Sequence, residues 1–210
     1  MPFDHAVTDV EALRERYRQP HPLVLDKQID HIDDAARAFV EASPFVVVAT
    51  TGPGGTDASP RGGAPGFVAV LDQGRLAMGD LAGNNRLDTH TNVLGDPRIG
   101  LIFLVPGVEE TLRVNGRATL TTDPDVLEAV TVDGRRPPVA IGIDVEECFI
   151  HCAKAFRRSG LWDPSTWPAA EDRPSAARAL RDHIGLDASP EVIAADLEAG
   201  YQVTLWEPGG

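Results

Sequence analysis

The run Thr111–Thr121 constrains the fold more than any other part of this chain. It alternates Leu112, Val114, Gly116 and Ala118 with Arg113, Asn115, Arg117 and Thr119. Successive side chains of an extended chain point to opposite sides, so the run predicts a strand with one apolar and one polar face. Other segments agree with it. Residues 45–51 are rich in β-branched side chains and stop at Gly52-Pro53-Gly54-Gly55, which reads as a buried strand entering a tight turn, with a hairpin partner near residues 58–62. Strands also fit 66–72 and 75–80, joined by the short loop Gln73-Gly74, and further ones fit 98–105 and 139–150. Six or seven strands with short links and no regular βα alternation favour a small antiparallel barrel over a doubly wound sheet.

Helices surround these strands. Val10, Leu13 and Tyr17 recur at helical spacing within 7–18, before a Gln19-Pro20-His21-Pro22 break that a helix cannot cross. A second helix is expected from about Asp33 to Ala42, with Ala36, Phe39 and Val40 facing inward, and Ser43-Pro44 ends it. A third is expected over 84–94, with Leu87 and Leu94 on one face and Gly95 in the position of a left-handed cap. Short helical pieces fit 124–130 and 151–159. A Pro-, Ala- and acid-rich linker at 167–175 precedes a helix over 174–183 and another from Pro190, where Ile193, Leu197, Tyr201 and Leu205 keep i,i+4 spacing. The expected class is mainly β (α+β): an antiparallel split barrel of six to seven strands over 45–165, with a helical segment (1–44) packed on it and a linker with a helical extension (166–210), all in one structural domain.

A length of 210 residues suits one domain with a sizeable core. The net charge of −13 argues against nucleic-acid and anionic-membrane partners, which need a dense positive field. Lys27 and Lys154 are the only lysines. Arginine therefore supplies every other cation, which suits bidentate contact to phosphates, although a GC-rich coding bias gives the same skew. No apolar run approaches the ~20 residues that span a bilayer. With two cysteines, Cys148 and Cys152, and no basic start followed by an apolar stretch, a reduced, cytoplasmic protein is expected. Cys148, His151 and Cys152 lack a second ligand pair, so no metal site is expected. No Gly-x-Ser-x-Gly marks a hydrolase.

The chemistry-bearing stretch is 57–94. A phosphate monoester must be held by local donors when the overall field opposes it. Arg61 and Arg86 are the candidate cations, Ser59 a hydroxyl donor, and Asn84, Asn85 and the free N–H groups of a helix start are neutral donors. Gly62, Gly63 and Gly83 leave backbone open to a ligand. The plainer reading makes Ser59-Pro60-Arg61-Gly62 a surface turn and Asn84 an N-cap.

Ser59-Pro60-Arg61-Gly62, Gly79-Asp80 with Asn84-Asn85-Arg86-Leu87, Arg113-Val114-Asn115-Gly116-Arg117-Ala118, and His151-Cys152-Ala153-Lys154 through Arg158-Ser159-Gly160-Leu161-Trp162 carry a resemblance. In this order they resemble the flavin-binding split β-barrel of the pyridoxamine 5′-phosphate oxidase-like superfamily, over most of residues 30–165. They are most similar to a bacterial branch regarded as FMN-dependent rather than to the vitamin B6 oxidase itself. The resemblance implies FMN at the interface of a homodimer, with the phosphate near Arg61, Asn85 and Arg86. Asp80 and Leu81 would then line the flavin ring, and Arg113 would reach the dimer interface and serve the partner's flavin. For Arg113 and Arg117 an exposed strand face is the alternative. Lys154, Arg158, Ser159 and Trp162 form a second cluster, in which a cation would stabilise the anionic reduced flavin and an indole would stack on the ring or the substrate, or simply pack. The implied activity is an oxidoreductase moving hydride or electrons through FMN to or from a small molecule, without a dedicated catalytic acid or base. The C-terminal Arg-x-His element and the first-strand lysine of authentic pyridoxamine phosphate oxidases have no counterpart here, so that particular reaction is not implied. A flavin-binding or storage module, and a split barrel holding deazaflavin or haem, are the alternatives.

Overall fold

The computed structural model describes residues 3–80, 83 and 85–206, so the expectations placed on Leu81 and Asn84 fall outside the described residues. Two short helices open the chain, α1 (Val10–Arg14) and α2 (Pro22–Asp26). Asp9 caps the first by accepting from the Ala12 N–H at 2.7 Å, and Pro22 starts the second, where its missing N–H costs nothing. Neither helix buries a residue, and Val10, Leu13 and Tyr17 are all exposed. The stripe expected over 7–18 therefore forms one short helix that meets no core of its own chain. In α3 (Asp34–Ala42), by contrast, Asp33 caps through Ala36 N at 2.8 Å, Ala36 and Val40 are buried, and Phe39 packs beside them as the spacing predicts. Ser43 ends this helix and donates to Leu104 O at 2.7 Å, tying the helix exit to the sheet.

The strands follow as β1 (Phe45–Gly52), β2 (Gly55–Gly62), β3 (Val68–Val70) and β4 (Arg75–Gly79), then, after α4 (Asp88–Gly95), β5 (Arg98–Leu104) and β6 (Thr111–Thr121), and, after α5 (Pro124–Ala129), β7 (Ala140–His151). All pair antiparallel in one sheet of order β2-β1-β5-β6-β7-β4-β3. One core joins Val68 of the edge strand β3 to Val46 and Val48 of β1 and to Leu101, Phe103, Leu112 and Val114 of the central strands. Strands so far apart in the sheet can share a core only if the sheet curls, and α3 fills the concave side. This is the small antiparallel barrel expected from the strand count, with seven strands, in the split form that the resemblance implies. On the reverse of β4 and β7, α5 covers Ala77 and Ala140 with Leu127 and Val130.

β6 shows the predicted alternation, Leu112, Val114 and Ala118 buried against exposed Arg113 and Arg117. Its register against β7 shifts between Asn115 and Gly116, which pair with Glu147 and Val145, leaving Glu146 as the extra residue of a bulge. A Cβ on Gly116 would run into the Asp144 carbonyl, so glycine is there for a close backbone approach.

The helix expected over 84–94 differs in three ways. It begins at Asp88, after Asn85 and Leu87 both adopt left-handed backbone, φ 57° and 58°. Leu87 and Leu94 are exposed, and the inward face is Thr89, His90, Asn92 and Val93. Val93 with Thr89 and Asn92 gives the i, i+3, i+4 stripe that a two-leucine count overlooks. Gly95 is the last helical residue and not a left-handed cap; an added Cβ would lie 2.8 Å from Pro53 Cδ, so glycine lets the helix end sit against the β1–β2 turn.

After β7 come α6 (Lys154–Ser159), a 3₁₀ turn at Pro164–Thr166, a second at Ala170–Asp172 within the expected linker, and the packed pair α7 (Ala176–Ile184) and α8 (Pro190–Thr204). Of the spaced stripe in the last helix, Ile193 is buried while Tyr201 and Leu205 are exposed. Among the described residues no helix is long and apolar enough to cross a membrane.

Candidate functional site

β2 is an edge strand whose Asp57, Ser59 and Arg61 lie opposite Thr50, Val48 and Val46 of β1. Paired residues share a face, so these three polar side chains turn to the core side of the sheet, where α4 packs across β1, β2 and β6. Thr89, fully buried on α4, is the hub. Its hydroxyl donates to Asp57 Oδ2 at 3.0 Å, lies 3.0 Å from Ser59 Oγ, and accepts from Arg61 Nη2 at 3.2 Å. Arg61 Nη1 donates to Ser59 Oγ at 3.0 Å and to Pro60 O at 2.9 Å. Each of these polar atoms is bonded, yet every partner of the half-buried Arg61 guanidinium among the described residues is a neutral oxygen. The Asp57 carboxylate reaches it through the shared Thr89 hydroxyl and makes no direct bond to it among the described residues.

Arg86 lies in the turn before α4, exposed, with Nε donating to Asp88 Oδ2 at 2.7 Å. That pairing raises the Arg86 pKa above its usual value, and the Asp57 carboxylate adds to the effect. Asn85 is exposed beside it. Because the N-cap position is Leu87, α4 starts without a side-chain cap, so its first N–H groups keep their capacity for another acceptor. Asp80, at the end of β4, places Oδ1 3.7 Å from His90 Nε2, too far for a hydrogen bond, and both His90 ring nitrogens are buried with no partner among the described residues. Asn92 donates to Thr50 Oγ1 at 3.2 Å. Gly62 has room for a Cβ, at ordinary contact from Pro44 O, whereas Gly63 exists to admit Phe67, whose Cβ would lie 2.7 Å from an added methyl.

The remaining expected site residues lie elsewhere. Arg113 is on the outer face of β6, three strands from β2, or roughly 14 Å along the sheet. Its guanidinium stands 5.5 Å over the Phe149 ring, which Lys27 also approaches at 5.5 Å. The same outer face carries a cleft of ≈ 380 Å³ lined by Ala49, Thr51, Arg98, Gly100, Asn115 and Glu146 among others. Lys154 and Arg158 are exposed on α6, and Ser159 Oγ donates back to Phe156 O at 3.1 Å. Trp162 stacks on Phe156 at 5.6 Å and donates its indole N–H to Val108 O at 2.9 Å, so packing against the β5–β6 turn accounts for it within the chain. The structure thus gathers Ser59, Arg61, Asp80, Asn85 and Arg86 around α4 and leaves Arg113 and the Lys154–Trp162 cluster apart from them.

Asp57, Thr89 and His90 were not anticipated. Asp57 stands two residues before Ser59 on a strand, hence on the same face, and that parity was a usable signal. Thr89 and His90 became visible only once the start of α4 was fixed.

The family model for pyridoxamine 5′-phosphate oxidase matches residues 32–152. No curated protein matches the chain. Among solved structures it is similar to HupZ from Group A Streptococcus (19% identity, TM-score 0.47, covering 57% of this chain and 93% of that one). It is also similar to General Stress Protein 26 from Bacillus anthracis (11%, 0.43, 54% and 88%) and to a protein related to general stress protein 26 from Clostridium acetobutylicum (16%, 0.44, 56% and 85%). The family match takes in α3 and all seven strands, well over half of the sequence, and the chain belongs to the pyridoxamine 5′-phosphate oxidase family.

Proposed function

We propose that this protein binds FMN as a homodimer and works as an oxidoreductase on a small molecule. The observation that carries the reading is Arg61, held by neutral oxygens against Thr89 at the uncapped start of α4. A guanidinium bonded directly only to neutral oxygens among the described residues, beside a helix start without a side-chain cap, is the donor set a phosphate monoester needs. Two carboxylates oppose it. Asp88 is paired with Arg86, whereas Asp57 accepts from the Thr89 hydroxyl and keeps its charge; Arg61, with no direct carboxylate partner among the described residues, is a stronger anchor than Arg86. Bound flavin would supply hydride or electron transfer; the chain's own part is to hold the phosphate at Arg61, Ser59 and the Asn85–Thr89 turn, and to place Asp80 beside the ring.

Arg113 stands on the outer face of β6, roughly 14 Å along the sheet from β2, and Trp162 is packed against Val108. A second copy presenting its outer sheet face would bring them to the cofactor, which favours the dimer. Two unpaired cysteines fit a reducing, cytoplasmic setting.

The test is direct. The purified protein should be yellow, or become so with added FMN, and released cofactor should have the mass of FMN; a colourless protein that cannot be reconstituted would end the proposal. Reduction of the bound flavin by NADH or NADPH, with reoxidation by an acceptor, separates an enzyme from a storage module.

A further inference from the structure

The inward polar residues of α4 differ in one respect. Thr89 bonds to Asp57, Ser59 and Arg61, and Asn92 bonds to Thr50, but His90 bonds to nothing among the described residues. Its side chain is only 10% exposed. A neutral imidazole carries one donor and one acceptor, and buried groups of this kind are almost always paired, so an orphan calls for a missing partner. Asp80, the nearest charged group at 3.7 Å, is too distant to be that partner and is itself partly open to solvent.

Resting on the flavin reading above, we infer that His90 is a binding residue that receives a hydroxyl of the cofactor's polyol chain, next to the phosphate anchor. Position and charge choose this group. His90 follows Thr89, which holds Arg61, so the two Cα atoms are about 3.8 Å apart while the imidazole turns about 100° away from Thr89, to the Asp80 side of the phosphate donors. Asp80 on the other side disfavours a second anion there. A hydroxyl is neutral; it can accept from the ring N–H and donate its one proton to the Asp80 carboxylate, while the second ring nitrogen accepts from a neighbouring hydroxyl of the same polyol.

The variants His90→Phe and His90→Gln, with the unaltered protein, test this. Phenylalanine fills similar volume without polar atoms, so the cofactor-free variant should melt no lower than the parent, since an orphan pair of polar atoms is gone. Its FMN dissociation constant, read by quenching of flavin fluorescence, should rise about tenfold or more. Glutamine, which keeps a donor and an acceptor, should recover part of that loss. A merely packed histidine predicts a lower melting temperature with unchanged affinity, which would overturn the inference. If the phenylalanine variant does not fold, nitrogen-15 spectra of the parent decide: the His90 ring nitrogens should shift on saturation with FMN, and unmoved signals would refute the contact. Parent protein that takes up no FMN removes the flavin reading and this inference with it. Normal uptake with unaltered affinity in both variants removes this inference alone.

Discussion

The two faces of the curled sheet present their cations in opposite ways. On the inner face, at the β2 edge, Arg61 is half-buried and fixed by Ser59, Pro60 and Thr89, with each hydroxyl of the group committed. On the outer face Arg113 is exposed, standing over Phe149 with Lys27 on the same ring, while Phe45 and Ile102 lie open to solvent nearby. The inner group is assembled by one chain around the Thr89 hydroxyl. The outer group has charge and apolar surface with nothing covering either, the composition of a surface that completes something else. The difference teaches that folding alone fixes the inner group, whereas on the proposed reading the outer one, the other half of the site, would join it only by assembly.

Both halves hang on one sheet, so the largest expected effect comes from damaging the place where β6 and β7 change register. Gly116→Ala forces a methyl onto the Asp144 carbonyl, and relief requires moving backbone rather than a side chain. A loss of about 3 kcal/mol is expected, the upper end of the overpacking range. It should appear as a lower denaturation midpoint with unchanged slope, and parental stability would show that the bulge relaxes freely.

Breaking each half separately sharpens the comparison. Arg61→Ala should weaken FMN binding by about 1.5–3 kcal/mol, roughly 10- to 150-fold, and more than Arg86→Ala, whose guanidinium is already shared with Asp88. Arg113→Ala should cost less, about 1 kcal/mol, because the group is exposed and stacked. The decisive experiment mixes the Arg61→Ala and Arg113→Ala proteins after mild dissociation. If the two halves meet across a dimer, hybrids contain one intact site and tight FMN binding returns in part. No recovery, with hybrid dimers demonstrated, would place both residues on independent sites.

The sequence was most readable where one face of an element meets the core and the other meets water. Alternation in Thr111–Thr121 and the spacing of Ala36, Phe39 and Val40 located β6 and α3 because burial is what writes those patterns. Val10, Leu13 and Tyr17 have helical spacing too, yet α1 is five residues long and buries nothing, since spacing does not say whether a partner surface exists. α4 was placed four residues early because its start depends on left-handed Asn85 and Leu87, residues whose side chains give no hint of that backbone. The site shows the same division. Arg61 and Ser59 were legible as donors, but their hub Thr89 and the orphan His90 depend on how α4 lies across β2, which is tertiary information.

The smallest expected effect separates the two sides of the sheet by their dryness, using the cysteines. Cys148 sits in the core under Ile29, and burial, with the Asp33 charge adding to it, pushes its thiol up to about 11, while Cys152 is exposed just past the end of β7. A disulfide reagent at pH 8 should therefore modify one thiol of the folded chain quickly, Cys152, and the second only on unfolding. The sign with pH follows from the raised value. Below about pH 9 both folded and unfolded chains keep the Cys148 thiol protonated and its burial is without ionisation cost. Between 9 and about 11 the unfolded chain releases that proton more readily, so stability falls across this window. Cys148→Ser should leave the exposed-thiol reaction intact and remove the alkaline loss, although it buries a hydroxyl. Fast reaction of both thiols in the folded protein would mean that the inner face is wet, and the contrast between the two faces would lose its physical basis.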